Sequence, residues 1–250
     1  MTTLINKLVL VSVGASLLLS LPIGGCHDYD SYQSQSYITE YIVASDINLS
    51  YMGSNTVDST MHTSFMLKFE GKRINGLSKD AELDLYNQLC VKNKDVSYPN
   101  EVHTMDGIIG CLAVAVHPNI TAINITSNKA FDAAHPAGTS LNEYVVVEYK
   151  SYGHFIQNGY SSKGYRCDAD IFFNCPNPVP SCLDSLPLIT ASDMIISEPW
   201  MHVIFTRQPE ISKLDDKYHT ITVVVTLEDG KTLTAKTPVV DFLNGSYIIE

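Results

Sequence analysis

Basic side chains are scarce in this chain. Sixteen Lys and Arg residues stand against 27 Asp and Glu residues, which gives a formal net charge of −11. Proteins that bind nucleic acid use clustered cations to neutralise phosphates, and an acidic excess of this size opposes such binding. Attachment to an anionic lipid surface by charge alone is disfavoured for the same reason. We therefore expect no nucleic-acid partner.

The sequence also lacks an apolar run long enough to span a membrane. Its longest run, residues 8–21 after Lys7, has fourteen residues and is interrupted by Ser and Gly, whereas a spanning helix needs about 20. A short run behind a basic residue is typical of a cleaved signal peptide. Ile23-Gly24-Gly25-Cys26 follows, and the thiol of Cys26 can carry a thioether-linked lipid. The sequence predicts a lipoprotein signal peptide over 1–25 and lipidation of Cys26; ordinary secretion and an uncleaved anchor are the alternatives.

No sequence motif of a catalytic site is present. The nearest approach to G-x-S-x-G begins at Gly159 and has Lys163 where the last glycine belongs. Metalloprotease, phosphate-binding and S-x-x-K motifs are absent as well. We expect no enzyme activity, no cofactor and no metal site, although catalytic groups could still converge from distant segments.

Cysteine is limited to six residues, and five remain after Cys26 is assigned to lipid. Disulfides are permitted outside the cytoplasm, and five thiols can form at most two. The last three are separated by seven and six residues, a spacing unlike that of structural zinc sites. We predict one disulfide within the group Cys167, Cys175 and Cys182 and one between Cys90 and Cys111, with the connectivity open.

Strand patterns dominate the rest of the sequence. Phe65, Leu67 and Phe69 alternate with more polar residues, which predicts a strand with one buried face. Residues 221–227 alternate in the same way, and Asp229-Gly230 predicts a tight hairpin. Further strands are predicted over 37–44, 108–116, 120–126, 144–149 and 200–206.

One helix is predicted from Ser78 as N-cap, with an apolar face that includes Leu85, Tyr86 and Leu89. Residues 158–197 show little periodicity and contain three cysteines and four prolines, which indicates a disulfide-stapled loop. Residues 27–36 are polar and predict a flexible tether.

Aromatic residues crowd the approach to the stapled loop. Tyr152, Tyr160 and Tyr165 precede its cysteines, and the single tryptophan, Trp200, follows the loop. Tyrosine rings stack on sugars while their hydroxyls form hydrogen bonds, so these four residues are candidates for a glycan- or peptide-binding surface. The competing interpretation is that they fill the core.

The string Phe131-Asp132-Ala133-Ala134-His135-Pro136-Ala137-Gly138-Thr139-Ser140-Leu141 resembles an element of uncharacterised lipoproteins from Bacteroides-like gut bacteria. Asp28 and Asp30 beside the lipidated cysteine resemble the sorting signals of surface lipoproteins in such bacteria. The resemblance implies an outer-membrane lipoprotein exposed at the cell surface and supplies no catalytic residues. Pro136 disfavours helix at His135 and Gly138 permits a turn, so we expect a loop that His135 caps.

Together these patterns predict a mainly β protein. We expect an antiparallel β-sandwich of immunoglobulin or transthyretin type with one helix and a disulfide-stapled loop. The predicted organisation is a signal peptide over 1–25, a lipidated cysteine and flexible tether over 26–36, and a single β-rich domain over 37–250.

The expected role is noncatalytic: a lipid-anchored envelope protein that contacts the membrane through its N-terminal lipid and presents a surface for a glycan or protein partner. One alternative is a pilus-associated or structural subunit that assembles by β-strand addition through residues 241–250. Another is an extracellular glycan or peptide hydrolase.

Overall fold

The computed structural model describes residues 29–57, 60–98, 100–105, 108–109, 113–161, 163 and 179–248. Predictions for the signal peptide and for Cys26, Cys111, Cys167, Tyr165 and Cys175 lie outside these ranges. Within them, no helix is both long and apolar enough to cross a membrane.

The described chain is mainly β, as predicted. Its strands in chain order are β1 Tyr29–Ser34, β2 Ile38–Val57, β3 Thr60–Asn75, β4 Asn100–Met105, β5 Ile108–Ile109, β6 Ala113–His117, β7 Ile120–Ser127, β8 Val145–Tyr149, β9 Cys182–Ser185, β10 Trp200–Phe205, β11 Tyr218–His219, β12 Ile221–Leu227, β13 Thr232–Lys236, β14 Val239–Asp241 and β15 Ser246–Ile248. The helices are α1 Ala81–Lys92 and α2 Gly153–Gln157.

Two sheets contribute to one apolar core, an arrangement consistent with a β-sandwich. A six-stranded sheet has the order β6-β2-β3-β10-β8-β9, and a three-stranded sheet has the order β13-β12-β7. Pairing is antiparallel except between β2 and β6. The core cluster takes Phe65, Leu67 and Phe69 from the first sheet and Val223 and Val225 from the second. Alternation along each strand places these side chains on one face.

The strand predictions of the core are confirmed. Phe65, Leu67 and Phe69 lie fully buried in β3. β12 and β13 form the predicted hairpin, and Gly230 adopts the positive φ of 83° that the Asp-Gly turn requires.

A second apolar cluster lies beneath α1. Tyr86, Leu89 and Cys90 of the helix pack with Tyr41 at the start of β2 and with Phe155 of α2. The helix begins one residue after Asp80, not at the predicted cap Ser78, whose hydroxyl instead accepts a hydrogen bond from the Asn75 backbone N–H at 3.0 Å. A short second helix, α2, adds to the single helix predicted.

The predicted disulfide between Cys90 and Cys111 is wrong. Cys90 is a free, buried thiol, and the Ser36 hydroxyl donates a hydrogen bond to its Sγ at 3.2 Å. The thiol is buried in the apolar cluster beneath α1 and is bonded to no other sulfur. Cys182 is disulfide-bonded, and no disulfide has both cysteines within the described residues. The pairing in the predicted stapled loop therefore stays a prediction.

Two further three-stranded sheets complete the described structure. β1, β4 and β5 form one, so Tyr29–Ser34, within the predicted tether, is paired with Asn100–Met105. β11, β14 and β15 form the other, and Val240 of β14 belongs to the shared core. Backbone pairing gives residues 29–34 an order that their polar composition did not indicate, because sheet hydrogen bonds do not depend on apolar side chains.

Candidate functional site

A cluster of mutually bonded polar side chains lies in the loop 131–144, the segment that carries the lipoprotein resemblance. Asp132 organises this loop. Its Oδ1 accepts hydrogen bonds from the backbone N–H groups of Ala134 and His135, both at 2.9 Å. This is the turn that an Asp side chain makes with its own following backbone, and it fixes the loop locally.

His135 bridges two carboxylates. Its Nδ1 lies 2.7 Å from Asp132 Oδ1, and its Nε2 lies 2.8 Å from Glu143 Oε1. Both ring nitrogens of His135 are therefore within hydrogen-bonding distance of a carboxylate oxygen. The expectation that His135 caps the loop agrees with this position.

Tyr144 completes the cluster from the end of the loop. Its hydroxyl donates to Asp132 Oδ2 at 2.8 Å and accepts from Arg207 Nη1 at 3.2 Å. The guanidinium carbon of Arg207 also lies 5.0 Å from the centre of the Tyr144 ring, within the range of a cation–π contact. The buried ring of Phe131 stacks on the Tyr144 ring, and the two ring centres are 5.7 Å apart.

These contacts shift two pKa values in opposite directions. Burial raises the pKa of Asp132, but hydrogen bonds from His135, Tyr144 and the loop backbone outweigh it and lower that pKa to about 2. The bond to the Asp132 carboxylate, followed by burial, raises the pKa of Tyr144 to about 12. Asp132 is therefore ionised and Tyr144 is protonated at neutral pH.

The groups of this cluster stabilise the loop and are not arranged as a reaction centre. We call the cluster of Asp132, His135, Glu143, Tyr144 and Arg207 the lock. A general base needs a ring nitrogen free to take a proton, and both nitrogens of His135 face carboxylates. The hydroxyl beside His135 belongs to Tyr144, and its raised pKa makes it a poor nucleophile. The groups instead hold the loop against β7, where Gly138 N–H donates to Ser127 O at 2.8 Å.

A buried Ser–His pair lies next to this loop. Ser127 Oγ and His219 Nδ1 are 2.7 Å apart, and His219 Nε2 lies 2.7 Å from the Asp216 carbonyl oxygen. Because a carbonyl only accepts, Nε2 carries the proton and the Ser127 hydroxyl donates to Nδ1. The spacing is that of a nucleophile, a base and an orienting group. Both side chains are buried, however, and burial lowers the pKa of His219, so the pair joins β7 to β11 inside the fold.

The aromatic residues predicted to bind a ligand do not form one exposed patch. Tyr152 is fully buried and packs edge-on against Tyr37. Tyr160 is partly buried, and its hydroxyl donates to Asp95 Oδ1 at 3.1 Å. Trp200 lies on another surface, at the start of β10, paired with Lys68 of β3. The interpretation that these aromatics fill the core holds for Tyr152.

Trp200 belongs to the outer face of the six-stranded sheet. Its neighbour Met201 is in the core, so alternation places Trp200 on the face away from the core. Lys68 and Asn48 are on the same outer face for the same reason, and register aligns the three across β10, β3 and β2. Lys68 and Asn48 are exposed, and Trp200 is partly exposed.

No group of three His, Cys, Asp or Glu residues in the described ranges is placed to hold a metal ion. The chain matches no protein-family model, no curated protein and no solved structure. The resemblance of residues 131–141 to envelope lipoproteins therefore stays a prediction. Sequence reasoning found His135 through that string but missed Arg207, which lies far along the chain and carries no local signal.

Proposed function

We propose that this chain is a lipid-anchored cell-envelope protein that presents a binding surface and has no catalytic centre. The observation that carries the noncatalytic part is the closed cluster at Asp132, His135 and Tyr144. Its polar groups bind one another and stabilise a loop. Lys7, the short apolar run and Cys26 support the lipid anchor. Asp28 and Asp30, which resemble the sorting signals of surface lipoproteins, support an outer-membrane location exposed at the cell surface.

The proposed binding surface is the part of the outer face formed by Trp200, Lys68 and Asn48, because His202, the next residue of β10 on that face, is buried. An indole ring offers a flat apolar face to a sugar or peptide, and Lys68 and Asn48 beside it supply hydrogen-bond donors and an acceptor. A glycan is the ligand class that this combination suits best. The acidic net charge of the chain disfavours strongly anionic glycans.

A binding experiment tests this surface. Mature protein would be screened on a glycan array, and hits would be measured by isothermal titration calorimetry. We expect Trp200→Ala to weaken binding by about tenfold or more, and Leu188→Ala, an exposed residue elsewhere, to leave it unchanged. Binding that survives Trp200→Ala at full strength, or the absence of any hit, contradicts the proposed surface.

A labelling experiment tests the anchor. Cells given an alkyne fatty acid should yield labelled protein that fractionates with membranes. Cys26→Ser should lose the label and leave the membrane fraction, whereas the matched change Cys90→Ser should keep both, since Cys90 is buried in the fold.

We further propose that the sandwich is a variant of the immunoglobulin or transthyretin type. Its support is the pair of largely antiparallel sheets that share one core. The parallel β2–β6 pair is an addition to that plan. The subunit alternative has no favouring observation, because Ser246–Ile248 pairs with Val239–Asp241 of the same chain.

A further inference from the structure

Two tyrosine rings meet at the surface, between the segments that follow α1 and α2. The ring centres of Tyr98 and Tyr160 are 5.0 Å apart, with an angle of 50° between the ring planes. Aromatic rings at this separation are in direct contact. Both residues are partly exposed to solvent, so a reagent in solution reaches both rings of the pair.

Backbone contacts fix the segments that carry the two rings. Tyr160 has a φ of 61°, a left-handed conformation that is uncommon for residues other than glycine and persists only where the surroundings hold it. Its N–H donates to Phe155 O at 2.8 Å and closes the end of α2. The Tyr98 N–H donates to Gln35 O at 2.9 Å. The contact between the rings is therefore set by the fold.

A buried carboxylate is positioned to take the phenolic proton of Tyr160. The Tyr160 hydroxyl donates to Asp95 Oδ1 at 3.1 Å and accepts from the Ser97 N–H at 3.3 Å. Asp95 is fully buried. Burial raises the pKa of Asp95, although hydrogen bonds from two backbone N–H groups and from Tyr160 lower it in part. A base within hydrogen-bonding distance assists the loss of the proton when the phenol gives up an electron.

We propose that Tyr98 and Tyr160 are a site of oxidative cross-linking, at which a one-electron oxidant such as a peroxidase intermediate joins the two rings as dityrosine. Each phenol loses one electron to the oxidant and one hydroxyl proton, which passes from Tyr160 to Asp95 and from Tyr98 to solvent. The two radicals form a carbon–carbon bond between ring positions ortho to the hydroxyls. Each ortho hydrogen then leaves as a proton, and a proton returns to each phenolic oxygen. Two equivalents of oxidant take up the two electrons.

The other tyrosine contacts of the described chain lack this exposure. They are Tyr37 with Tyr98, Tyr37 with Tyr152, and Tyr41 with Tyr86. Each of these pairs includes at least one buried ring. Within the described ranges, Tyr98 and Tyr160 are therefore the ring pair that an oxidant in solution can reach from both sides. The new bond would join the segment after α1 to the segment after α2.

Brief photochemical oxidation of dilute, full-length protein tests the site. Illumination of tris(bipyridyl)ruthenium with persulfate generates the one-electron oxidant, and dityrosine is detected by its fluorescence. Monomer is isolated by size-exclusion chromatography, and peptide mapping by mass spectrometry reports which residues are joined. Tyr98→Phe and Tyr160→Phe each keep the ring and remove the phenol. Tyr218→Phe, at a partly exposed tyrosine in β11, is the matched control.

We expect wild type and Tyr218→Phe to form a cross-link between residues 98 and 160 in monomeric protein, and Tyr98→Phe and Tyr160→Phe to lose it completely. Oxidation in urea should remove the preference for this pair, since the fold brings the rings together. Urea unfolding checks that each variant is folded, and Tyr98→Phe carries the test if Tyr160→Phe, which loses its bond to Asp95, is not. Folded wild type that forms no dityrosine, or that joins other residues instead, overturns the inference.

Discussion

At the residue scale, Asp132 links the stability of the protein to pH. Its folded-state pKa is about 2, whereas an Asp in an unfolded chain titrates near 3.9. The unfolded state thus takes up the proton first as pH falls. The stabilisation by ionised Asp132 is therefore complete above about pH 4 and is lost as pH falls towards 2.

Urea unfolding of the wild type and of Asp132→Asn measures this contribution. We expect the wild type to be clearly more stable at pH 6 and the difference to shrink steadily as the pH falls from 4 to 2, over the window set by the two pKa values of about 4 and about 2. A difference in unfolding free energy that is the same at every pH would contradict the assignment.

Removal of one hydroxyl tests the lock at the loop 131–144. Tyr144→Phe deletes the donor to Asp132 Oδ2 and keeps the ring between Phe131 and Arg207. We expect the melting temperature to fall by about 2–4 °C and the pKa of Asp132 to rise, because its carboxylate loses a donor. Tyr98→Phe is the control on a partly buried ring. Equal melting temperatures for Tyr144→Phe and wild type would show that the hydroxyl does not hold the loop.

The state of Cys90 can be tested directly, because the structure has a free thiol where the sequence predicted a disulfide. Burial raises the pKa of Cys90, although hydrogen bonds from Ser36 and Tyr86 lower it in part, so the thiol is both covered and protonated. Native protein treated with iodoacetamide should carry no label on Cys90. In urea without reductant, Cys90 should be labelled and Cys182 should not, since Cys182 is disulfide-bonded. Peptide mapping by mass spectrometry reads both sites, and an unlabelled Cys90 in urea would restore the predicted disulfide.

At the element scale, the long β2–β3 pair depends on one glycine. The register shifts between Ala44 and Asp46, and a Cβ built on Gly71 would lie 2.1 Å from the carbonyl oxygen of Val43. We expect Gly71→Ala to cost about 1–3 kcal/mol in urea unfolding, because the strands must separate to admit the methyl group. Ser45→Ala, an exposed change at the same bulge, should cost little. Equal stability of the two variants would mean that the strands accommodate the methyl group.

The same element shows what local sequence can and cannot predict. Alternation at Phe65, Leu67 and Phe69 predicts β3 because the pattern follows directly from one-sided burial. The predicted strand over 37–44 is found to continue to Val57 as β2. Its second half has Ser, Asn and Gly, whose weak strand preference is overridden by hydrogen bonding to β3.

At the scale of the whole molecule, the contacts that could not be predicted from the sequence are the long-range ones. Hairpins such as β12–β13 are encoded in a few adjacent residues, but the parallel pairing of β2 with β6 joins segments that no local pattern relates. The lock at the loop 131–144 follows the same rule. Asp132 and His135 are three residues apart in the sequence. Arg207 and Tyr144 are 63 residues apart and meet only in the tertiary fold. Charged and aromatic partners of this kind become visible only after the strands are paired.

The C-terminal segment gives a prediction about the integrity of the whole fold. Phe242 is fully buried between the rings of Phe205 and His219, at 5.7 and 5.4 Å. Asp241 and Lys217 form a buried ion pair, in which Asp241 Oδ2 lies 2.7 Å from Lys217 Nζ. Deleting residues 241–250 therefore removes part of the core and leaves a buried cation without its partner, which is strongly destabilising.

We expect the deletion of 241–250 to abolish cooperative unfolding or soluble expression, and Phe242→Ala alone to cost about 3–5 kcal/mol. Deleting only 245–250 keeps Phe242 and Asp241 and should be far milder. Urea unfolding and size-exclusion chromatography compare the three variants. If the chain without 241–250 stays folded and merely loses self-association, these residues act between molecules, and the role of the segment is assembly.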